Sequence, residues 1–282
     1  MAEKNKNKNE EKEMSFLDHL EELRWHLIRS TIAIVAGGTV AFIAKGFVFG
    51  TLIEGPKDPN FVTYRILCKI SKRIGLDDSL CVDEMPFTII TTGIADKFSI
   101  HIWTSITLGF VIAFPYILWE MWRFISPGLH KSERRYSRLF ISVGSLLFFC
   151  GVFFGYYVVA PLSVNFLGGY TLIEGNDISA NPTISSYIAL LRSVIIACGL
   201  IFELPIIIYF LTKLGLVTPE FLRKYRRHAL VIVLIVSAII TPPDIASQVI
   251  VAVPVVILYQ ISILISKLVI KRQNKRAKAN AS

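Results

Sequence analysis

Glu203 is an acidic residue where the chain has least reason to carry one. It lies in the run from Tyr187 to Leu211, YIALLRSVIIACGLIFELPIIIYFL, with Ile201 and Phe202 before it and Leu204, Pro205 and Ile206 after it. A stretch of that length and apolarity predicts a membrane-spanning helix. A carboxylate at that depth costs about 2.5–3.5 kcal/mol on insertion scales, and acids so placed usually serve ion paths, relays or partner contacts. The plainer alternative is a protonated carboxyl that hydrogen-bonds a neighbouring helix. Arg192 precedes Glu203 in the same run. About three turns bring the two to one face but leave them roughly 16 Å apart. Arg192 is therefore expected to snorkel outward, and Glu203 to need a partner elsewhere.

The other acids of interest stand at span ends. SFLDHLEELRWHLIRS places Leu17, Leu20, Leu23 and Leu27 on one helical flank, with Asp18 and Glu22 a turn apart on another. Ser15 reads as an N-cap with Asp18 at the third helical position. Glu21 can pair with Arg24 at i,i+3. Glu22 is either part of a solvated face, pairing with His26, or an acid that receives a cationic partner. Glu133 is the lone acid of the basic segment RFISPGLHKSERRYSR. It either forms a local salt bridge or offers a second receiving carboxylate. Glu120, at the end of an apolar run, is expected among lipid headgroups.

Catalytic chemistry is not indicated. The chain has no GxSxG, no HExxH and no phosphate-cradling glycine loop. His19, His26, His101, His130 and His228 do not fall at metal-ligand spacing, and Cys68 and Cys81 lack partners for a zinc site. No metal, cofactor or enzyme activity is expected. The net charge of +9 does not imply nucleic acid, because the basic residues collect beside the ends of apolar tracts and no nucleic-acid module is present.

These residues must be held by membrane helices. Hydrophobic residues make up 53% of the 282 and charged ones 18%, with the charges clustered between long apolar tracts. That is the pattern of a polytopic, all-α membrane protein. Residues 1–14 read as a disordered polar tail and residues 15–266 as one membrane domain of six spans. No cleavable signal peptide is read ahead of the first tract, which begins near Leu27 and serves as a permanent anchor. Span one runs to about Ala44, span two from about Phe98 to Trp119 with a kink at Pro115, and span three from about Leu139 to Val159, ending near Pro161. The run containing Glu203 is span four. ALVIVLIVSAII, the turn TPPD and IASQVIVAVPVVILYQISILIS give a short hairpin, spans five and six. Residues 267–282 form a basic tail.

Lys and Arg counts orient the spans. Segments 123–138 and 213–228 and the tail are basic, whereas 162–186 and 241–247 carry no Lys or Arg. Both termini are therefore expected in the cytoplasm. The first outer loop, 45–94, breaks the pattern with Lys57, Arg65, Lys69, Lys72 and Arg73. Its middle, FVTYRILCKISKRIG, can form a short amphipathic helix on or under the bilayer surface. Trp25, Trp119 and Trp122 mark cytoplasmic span ends as interfacial anchors, and Trp103 lies nearer the outer end of span two. Cys150 and Cys198 read as packing residues within spans. Cys68 and Cys81 share the outer loop, and a disulfide between them is expected in an oxidising compartment.

SFLDHLEELRWHLIRS, FPYILWEMWRFISPGLHKSERR, FELP, TPEFLRKYRRH and TPPDIASQ stand in the order and spacing of the TatC family. The chain resembles that family, the polytopic membrane subunits of the twin-arginine protein translocase, from about Ser15 to the end of span six. The resemblance implies six helices in a curved, cupped arrangement in the bacterial inner membrane. It implies a receptor that binds twin-arginine signal peptides of folded substrates and gathers single-span subunits of the TatA or TatB type into a multimeric complex driven by the protonmotive force. Carried over by motif, Glu22 and Glu133 would face the arginine pair. Arg24, Phe124, Pro127, Gly128 and Leu129 would shape that site. Glu203, Asp244 and Gln248 would serve partner docking. Membrane lipids are the remaining partner. Two departures stand out: Glu120 replaces a glutamine common in relatives, and TTGIADKFSIHIW lacks a Pro-x-Glu-x-Phe pattern, with Trp103 where a lysine is frequent.

Three functions compete: a receptor for twin-arginine substrates, a proton-coupled secondary transporter with Glu203 as relay, and a structural scaffold. Inverted repeats or paired broken helices would favour the transporter, and the span lengths show no such symmetry.

Overall fold

The structure, a computed structural model, describes residues 16–74, 81, 87–125, 137–169, 181–240 and 245–281. Among them the regular elements are helices, with one isolated bridge between Ile90 and Thr183. Five stretches are long and apolar enough to cross a membrane: Leu20–Ile43, Asp96–Ile125, Phe140–Gly169, Ile184–Lys213 and Gln248–Lys275.

Helix α1 (Phe16–Ile43) runs without a break from the amphipathic segment through the first apolar tract. It packs chiefly on α3 (Asp96–Ile125). Only 17% of its apolar window is buried, so Ile32, Val35 and Val40 face outward toward lipid. The two backbones approach closely because glycines face each other. A Cβ added at Gly109 would stand 2.5 Å from the Gly38 nitrogen. Small residues at such a seam let membrane helices pack without a hydrophobic drive between them. Helix α3 continues through Pro115 to Ile125.

After α1, a π-helical turn (Val48–Ile53) and a 3-10 turn (Gly55–Lys57) lead to α2 (Val62–Ile74). Cys68 of α2 is joined to Cys81 by a disulfide.

Helix α4 (Ser137–Phe154) does not end at Pro161 as its sequence predicts. It passes through a π-helical turn (Gly155–Val159) into α5 (Ala160–Gly169). Pro161 cannot donate to the Tyr157 carbonyl four residues back. The Thr63 hydroxyl of α2 supplies that hydrogen bond instead. A contact from elsewhere in the fold thus repairs the helix.

The span containing Glu203 is broken. Helix α6 (Ile184–Ile201) starts at its N-cap Thr183, whose hydroxyl accepts from the Ser186 amide, and stops before Phe202. Helix α7 (Leu204–Lys213) restarts with Pro205 in its first turn, where a missing N–H costs least. Helix α8 (Pro219–Lys224) is capped by Thr218. Helix α9 (Arg226–Ile240) has 15 residues, short against the ~20 of a full crossing. Helix α10 (Ile245–Ala281) is not short. It runs 37 residues through Pro254 and the basic segment read as a separate tail. Lys, Arg, Gln and Ala there are strong helix formers, and nothing stops the helix at residue 266.

One core cluster joins α5 and α6, with Val159, Val164, Leu191 and Val194 at its centre. A second joins α3 to α4 through Phe114 and Phe148, whose rings stack at 3.5 Å. Helix α10 packs on α7 and α9. The Thr212 hydroxyl donates to that of Ser266 at 2.9 Å.

Candidate functional site

Helix α1 presents Glu22 and His26 one turn apart, with His26 Nε2 4.0 Å from Glu22 Oε1. His26 is buried. Its Nδ1 hydrogen-bonds Glu120 Oε2 on α3. With Glu120 ionised, Nδ1–H is the donor. The Tyr116 hydroxyl, one turn back on α3, donates to Glu120 Oε1 at 2.8 Å. Phe124 meets the imidazole edge-on, with centroids 6.0 Å apart. Glu120 is 1% exposed, so it does not sit among headgroups. Two hydrogen bonds, one from His26 and one from Tyr116, offset the cost of burying its charge. Arg29 adds positive potential around it, and Arg123 stands over the Trp119 ring at 5.7 Å.

Glu22 differs from Glu120. Its side chain is 34% exposed, yet Oε2 is shielded from water and has no hydrogen-bond partner. Buried acceptors are usually satisfied. This oxygen has a place for a donor that none of the described residues fills. Arg24 is exposed and forms no ion pair with Glu21 among the described residues. Arg24 also lines a groove of about 440 Å³ with Leu20, Leu23, Leu27, Ile28, Thr31 and Ile32. Pro127, Gly128, Leu129, Glu133 and Asp244 lie outside the described residues.

Glu203 sits in the break between α6 and α7. It is 5% exposed, and among the described residues neither carboxylate oxygen has a hydrogen-bond partner. The Phe148 backbone approaches it, but that amide lies mid-helix and is used there. Gly144 makes room for the carboxylate: a Cβ added there would stand 3.5 Å from Oε2. The break turns the side chain inward against α4 rather than leaving it on an open face. Arg192 does not simply snorkel outward. Its guanidinium lies over the Trp103 ring at 5.6 Å, a cation–π contact between α6 and α3. Gln248 Nε2 donates to the Leu234 carbonyl at 3.0 Å and ties α10 to α9.

Trp122 corrects another expectation. It is buried and packs on Phe140 and Phe210, whereas Trp25 and Trp119 are exposed. Cys198 is buried and Cys150 exposed. Among the described residues no cluster of His, Cys, Asp and Glu could hold a metal.

The sequence pointed to Glu22 and its neighbour His26 but missed the link from His26 to Glu120, which spans 94 positions. Tyr116, Glu120 and Arg123 lie at span-end positions of α3, and a buried His–acid contact across two spans is the signal that would have joined them.

Comparison with known proteins places this geometry in one family. The family model for the Sec-independent protein translocase protein TatC matches residues 18–254. A TatC of Blattabacterium is 41% identical over 271 residues, covering 94% of this chain and all of that one. A TatC of Aquifex aeolicus is 34% identical over 94% of this chain and all of that one. A crystal structure of the twin-arginine translocase receptor TatC in DDM superposes with a TM-score of 0.67 at 34% identity, covering 88% of this chain and 99% of that one.

Proposed function

We propose, from the premise that this chain belongs to the TatC family of Sec-independent protein translocase proteins, that it is the receptor subunit for twin-arginine signal peptides. Its general place in twin-arginine translocation follows from the family. The finer reading is that Glu22 receives a guanidinium of the arginine pair. The observation that carries this is the Oε2 of Glu22, shielded and without a donor among the described residues, at a helix flank that still opens to solvent. A guanidinium offers a planar fork of N–H groups that fits a carboxylate in bidentate geometry, which lysine cannot match. Glu120 is already saturated and acts through His26, holding Glu22 in place. The apolar groove beside Arg24 suits the apolar stretch of a signal peptide. Glu133 is proposed as the second receiving acid.

Six crossings with both termini in the cytoplasm of a bacterial inner membrane remain part of this reading, supported by the Lys and Arg distribution. Helix α9 would be the thin span. Glu203, with Asp244 and Gln248, is proposed to receive the polar groups of single-span partners of the TatA or TatB type. A buried carboxylate without a donor among the described residues is a site that an arriving polar side chain stabilises.

The test is crosslinking of a photoreactive twin-arginine peptide to membranes bearing each variant. Glu22→Ala and Glu133→Ala should each lower the crosslinked fraction at least about tenfold, the loss of one charged hydrogen bond, at unchanged protein level. Full crosslinking in both refutes the receptor assignment of these acids.

A further inference from the structure

Helix α2 carries an unexplained surface. One face is fixed to the protein body. Tyr64 is buried, with its hydroxyl 2.8 Å from the Pro161 carbonyl and 3.0 Å from that of Pro56. Burial pushes its phenol well above the ordinary range, so it stays a hydrogen-bond donor. Ser71 is fully buried on the same face, and Cys68 is bonded to Cys81.

The opposite face holds two parallel rows. At 100° per residue, Arg65, Lys69 and Arg73 fall roughly 100°, 140° and 180° from Tyr64, and Val62, Ile66 and Ile70 roughly 160°, 200° and 240°. Val62 is 44% exposed, Ile66 51% and Ile70 43%. Arg65, Lys69 and Arg73 are exposed as well, and among the described residues no salt bridge engages them. An apolar row beside a cationic row is the pattern of a helix lying at the membrane boundary.

Its depth agrees. Thr63 hydrogen-bonds the Tyr157 carbonyl, and Phe61 stacks on the Tyr157 ring at 5.6 Å. Tyr157 stands twenty residues along the helix from Ser137, about 30 Å, which is one hydrocarbon thickness. Helix α2 is therefore held where headgroups of the far leaflet lie.

We infer that α2 is a binding site for anionic phospholipid headgroups. Val62, Ile66 and Ile70 enter the acyl boundary, while Arg65, Lys69 and Arg73 bind phosphate. Three of the five cations that break the charge pattern of the outer loop are then a lipid-facing edge rather than solvated loop charge. This inference is independent of the peptide site.

The test is native mass spectrometry of the full chain released from nanodiscs of phosphatidylglycerol and phosphatidylcholine in equal parts. The wild-type chain should retain phosphatidylglycerol in excess. Arg65→Ser/Lys69→Ser/Arg73→Ser should lower that excess at least threefold, while Arg65→Lys/Arg73→Lys should keep it. Ile66→Ser/Ile70→Ser should lower retention of both lipids. If the triple variant fails to fold, added salt applied to the wild-type chain gives the same readout, because it should strip the excess. Equal retention of the two lipids by the wild-type chain, or an excess unchanged in the triple variant and in high salt, overturns the proposal.

Discussion

Glu120 and Glu203 are both carboxylates buried in a membrane protein, and the fold treats them in opposite ways. Glu120 is held by His26 and Tyr116 from two helices. Glu203 has a comparable lack of exposure, yet neither of its oxygens has a partner among the described residues. The first is a structural joint between α1 and α3. The second is a buried acid without a partner among the described residues, set where Pro205 breaks a helix and Gly144 leaves space. Burial alone therefore does not mark function. What sets Glu203 apart is the lack of a partner among the described residues, because a satisfied acid has nothing left to offer a visitor.

The largest effect should come from His26→Ala. It leaves Glu120 buried without its histidine and should cost about 3–5 kcal/mol, seen as a lower melting temperature in detergent. Adding Glu120→Gln should recover part of that loss. Tyr116→Phe removes one hydrogen bond to Glu120 and should cost about 1.5–3 kcal/mol, since the acceptor is charged. Gly144→Ala places a methyl against Leu118 and Ile206 and close to the Glu203 carboxylate. It should cost about 1–3 kcal/mol by overpacking, and pull-down should show weaker capture of single-span partners. Glu203→Gln should change stability least, by less than about 1 kcal/mol, while partner capture falls. A Glu203→Gln melting loss as large as that of His26→Ala would erase the distinction between the two acids.

The sequence made local relations readable. Glu22 and His26 lie four apart in one helix, so their pairing follows from helical geometry. The apolar runs located the five long apolar helices, and 3.6-residue periodicity located α2. What it hid were relations that only tertiary structure creates. Pro161 reads as a terminator until Thr63 supplies the missing donor. Glu120 reads as a headgroup residue until α1 brings His26 against it. Arg192 reads as a snorkelling cation until Trp103 of α3 lies beneath it. The run around Glu203 reads as one span until Pro205 interrupts it, and the inward direction of the acid depends on Gly144 in another helix. Glu133, Pro127, Gly128 and Leu129 belong to the proposed site on motif alone, since they lie outside the described residues.

The most direct measurement is a double-mutant cycle between Glu22 and the arginine pair. Binding of a labelled signal peptide, with Arg-Arg or Lys-Lys at its centre, is titrated against the wild-type chain and Glu22→Ala in nanodiscs. A coupling energy of about 1.5–3 kcal/mol is expected, because the carboxylate and the guanidinium act on each other. Additive effects, with coupling below about 0.3 kcal/mol, would contradict the assignment of Glu22 as the acid that receives the arginine.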